Sequence, residues 1–220
     1  MARANAQNLF LRYLTFFIGI FIMSVGIAMT VHSHIGTTPI SAIPLVMSYA
    51  TPFTLGQYTV AINVLLLLAQ IAVLRRQFEP IQLLQVPAAF LFGAFCDLSV
   101  WLLDGFQPTF WPTQLAYSTL GSLVLGVGVW LQVTPRVLTL AGDGISVAVA
   151  KVTGREFGAV KITLDSVLVA IALLLSFLLL GRLEGVREGT FISAFLVGFV
   201  VRQLQRRVPW PAALRRPDRS

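Results

Sequence analysis

Gly19-Ile-Phe-Ile-Met-Ser-Val-Gly26 and Gly121-Ser-Leu-Val-Leu-Gly-Val-Gly128 decide how this chain is read, because they are one stretch written twice. A displacement of 102 residues carries Gly19 onto Gly121, Val25-Gly26 onto Val127-Gly128, Val31 onto Val133, Gly56 onto Gly158 and Asn63 onto Asp165. A displacement of 105 carries Ile40-Ser41 onto Ile145-Ser146, and Ala89-Phe90-Leu91-x-Gly93 onto Ala194-Phe195-Leu196-x-Gly198. Two neighbouring offsets are what a duplicated segment leaves after a short insertion in one loop. The chain therefore divides into two similar halves, residues 1–104 and 113–205, followed by a basic tail, 206–220.

Composition sets the solvent of those halves. Hydrophobic residues make up 56% of the 220 and charged residues 11%, with a mean hydropathy of +0.82; soluble domains carry about 25% charged residues. No formal charge occurs between Arg12 and Arg75. Such a run has no face for water, so the chain reads as an all-α integral membrane protein, a polytopic transmembrane helical bundle. The net charge of +7 is not gathered into one patch. Arg3 and Arg12 stand at the start, Arg75-Arg76 in one loop, and Arg202, Arg206, Arg207, Arg215, Arg216 and Arg219 at the end. Basic residues flanking apolar spans are topology signals and contacts for anionic lipid headgroups, so lipid is expected as partner and nucleic acid is not. The single Cys96 permits no internal disulfide. No zinc-protease, phosphate-loop or Ser/His/Asp pattern occurs, so no enzyme, metal or cofactor is expected.

Spans follow from runs of about 20 apolar residues. In the first half they fall at 13–31, 54–74 and 80–103; in the second at 115–133, 157–180 and 189–204. Gly19 and Gly26 share one helix face, as do Gly121 and Gly128, and small residues on one stripe let helix backbones approach closely in lipid. Gly56, Thr59, Asn63 and Gln70 likewise line one face of the 54–74 helix, matched by Gly158, Lys161 and Asp165 in the second half.

Two segments are too short to cross. His32-Ser-His-Ile-Gly-Thr-Thr-Pro39 breaks the first helix, and the apolar piece after it, within 37–50, ends at Thr51-Pro52. Its counterpart is 143–152, for which Asp143 is the expected helix cap. Apolar stretches of about 10–14 residues read as re-entrant segments, and paired Gly/Pro-interrupted segments in corresponding positions point to a transporter's binding site. With six crossings, Arg75-Arg76, Arg136, Lys151, Arg155 and both termini share the cytoplasmic side of a bacterial inner membrane, while the loop 104–113 lies outside. Three crossings per half make the two repeats inverted.

Charge at membrane depth is costly and marks a pathway or a site. Lys161 and Asp165, four apart on one face, are expected to pair, with Asn63 as the matching polar group of the other half. The half-helix starts add Thr37, Thr38 and Ser41 in the first half, and Asp143 and Ser146 in the second. Backbone N–H groups there favour an anion, while Asp143 favours a cation or a proton at its own end. His32, His34 and Asp97 are the candidates for a proton relay.

The run His34-Ile-Gly36-Thr37-Thr38-Pro39-Ile40-Ser41 just after the first helix, the Leu55-Gly56-Gln57 opening of the next span, and the Gly142-Asp143-Gly144-Ile145-Ser146 echo resemble the YczE/YyaS/YitT family of bacterial membrane proteins. That resemblance implies a multi-spanning inner-membrane protein and no particular substrate. Two functions from different classes remain expected: a small secondary transporter or permease for an unidentified small molecule or ion, or a non-transporting membrane accessory protein. A bundle of this size is also open to homodimerisation.

Overall fold

The computed structural model describes residues 2–208, and the side chains of residues 8–208. Among them are eight α-helices and no strand: α1 Ala2–His32, α2 Pro39–Ala50, α3 Leu55–Leu74, α4 Gln85–Leu103, α5 Trp111–Val133, α6 Ala141–Thr153, α7 Phe157–Leu180 and α8 Glu188–Arg207. Two short 3-10 turns, Arg75–Gln77 and Pro80–Leu84, join α3 to α4. Arg215, Arg216 and Arg219 of the expected basic tail lie outside the described residues.

Five helical stretches are long and apolar enough to cross a membrane: Asn8–His32, Leu55–Gln77, Pro80–Leu103, Trp111–Val133 and Phe157–Leu180. That is the make-up of an integral membrane protein. The sixth expected span does form a helix, α8, but falls short of the other five. Arg202, Gln203, Gln205, Arg206 and Arg207 make its second half polar. The first helix also begins far earlier than residue 13, at Ala2. With 12 and 13 residues, α2 and α6 reach roughly 18–20 Å at 1.5 Å per residue, short of the ~30 Å hydrocarbon layer.

Local chemistry sets the helix ends. Thr54 and Gln57 form a reciprocal capping box at the start of α3, with bonds of 3.1 and 3.0 Å. Pro39 opens α2 at a position where a missing N–H costs nothing. Gly154 and Gly181 end α6 and α7 in the left-handed conformation.

The longest contact runs between α1 and α5. A Cβ on Gly26 would stand 2.5 Å from the Leu125 backbone nitrogen, and one on Gly128 2.5 Å from the nitrogen of Met23. Gly19 faces Gln132 and Gly128, while Gly121 faces Met29 and Gly26. Partners descend on α5 as residues ascend on α1, so the two helices run antiparallel. The Gly19–Gly128 contact becomes the Gly121–Gly26 contact under the displacement of 102.

Other contacts pair up in the same way: α4 packs on α1 as α8 packs on α5, α7 on α2 as α3 on α6, and α2 on α3 as α6 on α7. Hydroxyl pairs bridge two of these seams, Ser24 with Ser99 at 2.9 Å and Ser122 with Ser193 at 2.7 Å. His34 and Arg136, 102 apart, both adopt positive φ, 57° and 49°. Each bend is held by an arginine distant in the sequence. Arg187 Nη1 donates to His34 O at 3.2 Å, and Arg12 Nε and Nη2 donate to Pro135 O at 2.9 and 2.6 Å.

Candidate functional site

The two short helices meet by their N-termini. A Cβ on Gly142, at the start of α6, would overlap Ile40 Cδ1, at the start of α2. The Ile40 side chain, from the first turn of α2, therefore lies against the backbone at the start of α6. Two positively polarised helix ends thus lie side by side in the bundle.

Their polar side chains are occupied locally. Thr38 precedes α2 in an extended conformation, but its hydroxyl donates to Ser41 Oγ at 2.9 Å instead of capping the helix. Thr37 is buried and hydroxyl-paired with Thr30 at 2.8 Å. Its N–H donates to Gly185 O at 3.2 Å, which ties the bend before α2 to the loop between α7 and α8. Ser146 is fully buried and donates to Gly142 O of its own helix at 3.3 Å. Asp143 is not the cap of α6. Helix α6 starts at Ala141 behind Leu140, which leaves Asp143 inside the first turn with its carboxylate free to face α7.

There it meets Lys161. Lys161 Nζ lies 2.8 Å from Asp165 Oδ1, one turn along α7, and 3.5 Å from Asp143 Oδ1. The expected pair is therefore a triad spanning α6 and α7, with one carboxylate more than the ammonium neutralises. Its members are 29%, 26% and 34% exposed for Lys161, Asp165 and Asp143, so the cluster reaches the surface on one side of α7.

Asn63 does not join it by a hydrogen bond. It is buried in α3, and Nδ2 donates to Thr59 O one turn back at 2.8 Å. The α3 residue that does reach the half-helix start is Gln70, 3% exposed. A Cβ on Gly144 would stand 2.6 Å from Gln70 Oε1, and that oxygen has no hydrogen-bond partner among the described residues. Its amide nitrogen donates to Gln82. An orphaned amide oxygen against a helix start is costly unless something binds there. A glutamine in the last turn but one of an apolar span was the only sign of this in the sequence.

The three relay candidates separate. His32 Nε2 lies 3.0 Å from Val100 O, stitching α1 to α4. His34 is exposed at the bend. Both Asp97 oxygens are engaged at the start of α3: Oδ2 accepts from Thr54 Oγ1 and Oδ1 from Gly56 N, each at 2.7 Å. Asp97 thus acts as a cap supplied by the neighbouring helix, where the dipole favours a carboxylate. It also lines a cleft of about 430 Å³ with Ser48, Tyr49, Phe53 and Asp104, to which no member of the triad contributes.

Residues 10–206 match the family model described as "Family of unknown function (DUF6198)". The chain belongs to this family. Among curated relatives of this DUF6198 member is the "Uncharacterized protein YyaS" of Bacillus subtilis (strain 168), 39% identical over 92 residues. That alignment covers 42% of this chain and 43% of the relative. No solved structure matches the DUF6198 chain.

Proposed function

We propose that the protein is a small secondary transporter or permease of a bacterial inner membrane. In this reading six helices cross, α8 included, in two inverted repeats of three, and the substrate binds where α2 and α6 meet. Both termini are cytoplasmic. The observation that carries the reading is the abutment of two half-length helices by their N-termini beside an ion triad. Half-helices at membrane depth are tolerated only where protein or a wet cavity satisfies their free ends, which is how transporters build central sites. Antiparallel packing of α1 on α5, with each contact exchanged for its repeat mate, supports the inversion. The wider grouping with YczE and YitT rests on the motif around Gly36 and Pro39, the Leu55-Gly56-Gln57 opening and the echo from Gly142 to Ser146.

In this site Asp143, Lys161 and Asp165 bind or couple a cation or a proton at the α6 end. Thr37, Thr38, Ser41 and the first turn of α2 carry no acidic residue and suit an electron-rich group of the substrate. Ser146 and Asn63 line the helices between. The test begins with a thermal-shift screen of small anions, amines and amphiphiles on the detergent-solubilised protein. Flux of each hit is then followed in proteoliposomes. Flux that Asp165→Asn and Asn63→Ala abolish supports transport. Variants that leave flux absent throughout, and change only stability or capture of a partner, favour the accessory-protein reading instead.

A further inference from the structure

The repeats match in every seam but one. Helices α1, α4, α5 and α8 pack on each other, and so do α2, α3, α6 and α7; among the described residues the one extended helix–helix contact between these two groups is α3 on α4. That contact is a glycine crossing. A Cβ on Gly93 would stand 2.6 Å from Gly56 O and 2.6 Å from Val60 Cγ2, and a Cβ on Gly56 would overlap Gly93 O. Asp97 fastens it through Gly56 N.

The repeat mates of Gly56 and Gly93 are Gly158 and Gly198, and they do not touch. A Cβ on Gly198 would meet nothing within 4 Å, and one on Gly158 would meet only Glu156 Oε1 at 3.7 Å. Ile162 is 70% exposed where its mate Val60 is half-buried, while Phe195 and its mate Phe90 are both exposed. Helix α7 is correspondingly bare: 11% of its apolar stretch is buried, against 28% for α3. A duplicated unit has kept both glycines of the crossing in its second copy while leaving the crossing unmade.

We infer that α7 closes on α8 through Gly158 and Gly198 in a second state of this protein, and that α3 then parts from α4. The group α2, α3, α6 and α7 rocks as a body on α1, α4, α5 and α8, exchanging one glycine seam for its mate. The occupant of the open notch is therefore the chain's own helix. Its warrant is the chain's internal repeat: a seam that forms at Gly56–Gly93 has the same small residues available at Gly158–Gly198. The seam now closed lies at the end of the bundle where α3 starts, and the one now open lies at the opposite end, where α7 starts. Lys161 and Asp165 sit one and two turns into α7 beside the open seam, which explains their partial exposure in this state. Rigid-body exchange between inverted repeats around a fixed site is a known route to alternating access. The exchange takes its meaning from the transporter reading, but its geometry stands or falls separately.

Spin-label distances test it on the purified full chain in lipid nanodiscs, with Cys96→Ala and no substrate added. One pair of nitroxides is placed through Ile162→Cys and Phe195→Cys, another through Gln57→Cys and Ala94→Cys. Two distance populations are expected for each pair, the shorter from helices packed at the ~8–10 Å interaxial spacing and the longer from helices that have parted. A Gly198→Trp wedge should remove the short population at 162–195 and the long population at 57–94 together; the site has room for it. A single distance at 162–195, unchanged by the wedge, overturns the exchange. Exchange without flux of any solute would refute the transporter reading alone. Flux with one fixed distance would refute the exchange alone.

Discussion

A single methyl group at Gly26 tests the α1–α5 seam. In Gly26→Ala the new Cβ stands 2.5 Å from Leu125 N and 2.7 Å from Leu125 Cα and Cβ. Ordinary carbon contacts begin near ~3.5 Å, so the helices must part by about 1 Å or bend. Two of the three obstructing atoms are backbone, which cannot swing aside as a flexible side chain would. Overpacking of this kind costs about 1–3 kcal/mol, against about 1 kcal/mol gained from replacing glycine by alanine within a helix. The net loss is about 0–2 kcal/mol. At about 2–4 °C per kcal/mol for a chain of this size, the melting midpoint falls by up to about 8 °C. Gly198→Ala is the matched control, because its Cβ meets nothing within 4 Å; it gains helix propensity without the clash and should melt at or slightly above the parent. Thermal unfolding in detergent, followed by size-exclusion fluorescence, reads both. If the two variants melt together, backbone contact at Gly26 does not hold the halves and the reasoning fails.

Two further perturbations address the bends and the cap. Arg12→Ala and Arg187→Ala each free one bend by removing charge-assisted bonds to Pro135 O and His34 O. The part-buried Arg12 bonds fall in the range of about 1.5–3 kcal/mol for bonds to a charged group, and the solvent-exposed Arg187 bond is worth less. Faster amide exchange is expected at residues 134–138 for the first and 33–38 for the second; the same exchange change in both bends from either variant would contradict separate pins. Asp97→Asn replaces one of two acceptor oxygens with a donor facing Thr54 Oγ1 or Gly56 N, and should lower stability by about 1–2 kcal/mol. Asp97→Ala combined with Thr54→Ala should cost less than the two single losses added, because they share one hydrogen bond; strict additivity would refute the shared cap.

Apolar runs of about 20 residues, bounded by Pro, Gly and Arg, made the spans at α3, α4, α5 and α7 legible, since lipid leaves the backbone no other way to satisfy its hydrogen bonds. Helix ends were less legible. Asp143 reads as a cap because Asp favours that position, yet Ala141 and Gly142 already sit in the first turn, wedged against Ile40. Helix α8 reads as a span over 189–204, but Arg202, Gln203 and the residues after them make its second half polar. For the candidate site, Lys161 and Asp165 were found by their spacing on one helix, which is local information. The arrival of Asp143 depends on how α6 packs on α7, and that of Gln70 on how α3 packs on α6; no pattern along the chain carries either. The Gly158–Gly198 notch shows the same limit from the other side, since the repeat announces a contact that this conformation does not make.

The most direct measurement concerns the inversion of the two halves. Arg76 follows α3 and Leu183 follows its repeat mate α7, and both are exposed. Single cysteines at these positions, in a Cys96→Ala background, are treated with a membrane-impermeant thiol reagent in intact cells and in inverted vesicles. Inverted repeats require Leu183→Cys to label in intact cells and Arg76→Cys only in inverted vesicles. Labelling of both from the same side would contradict the account.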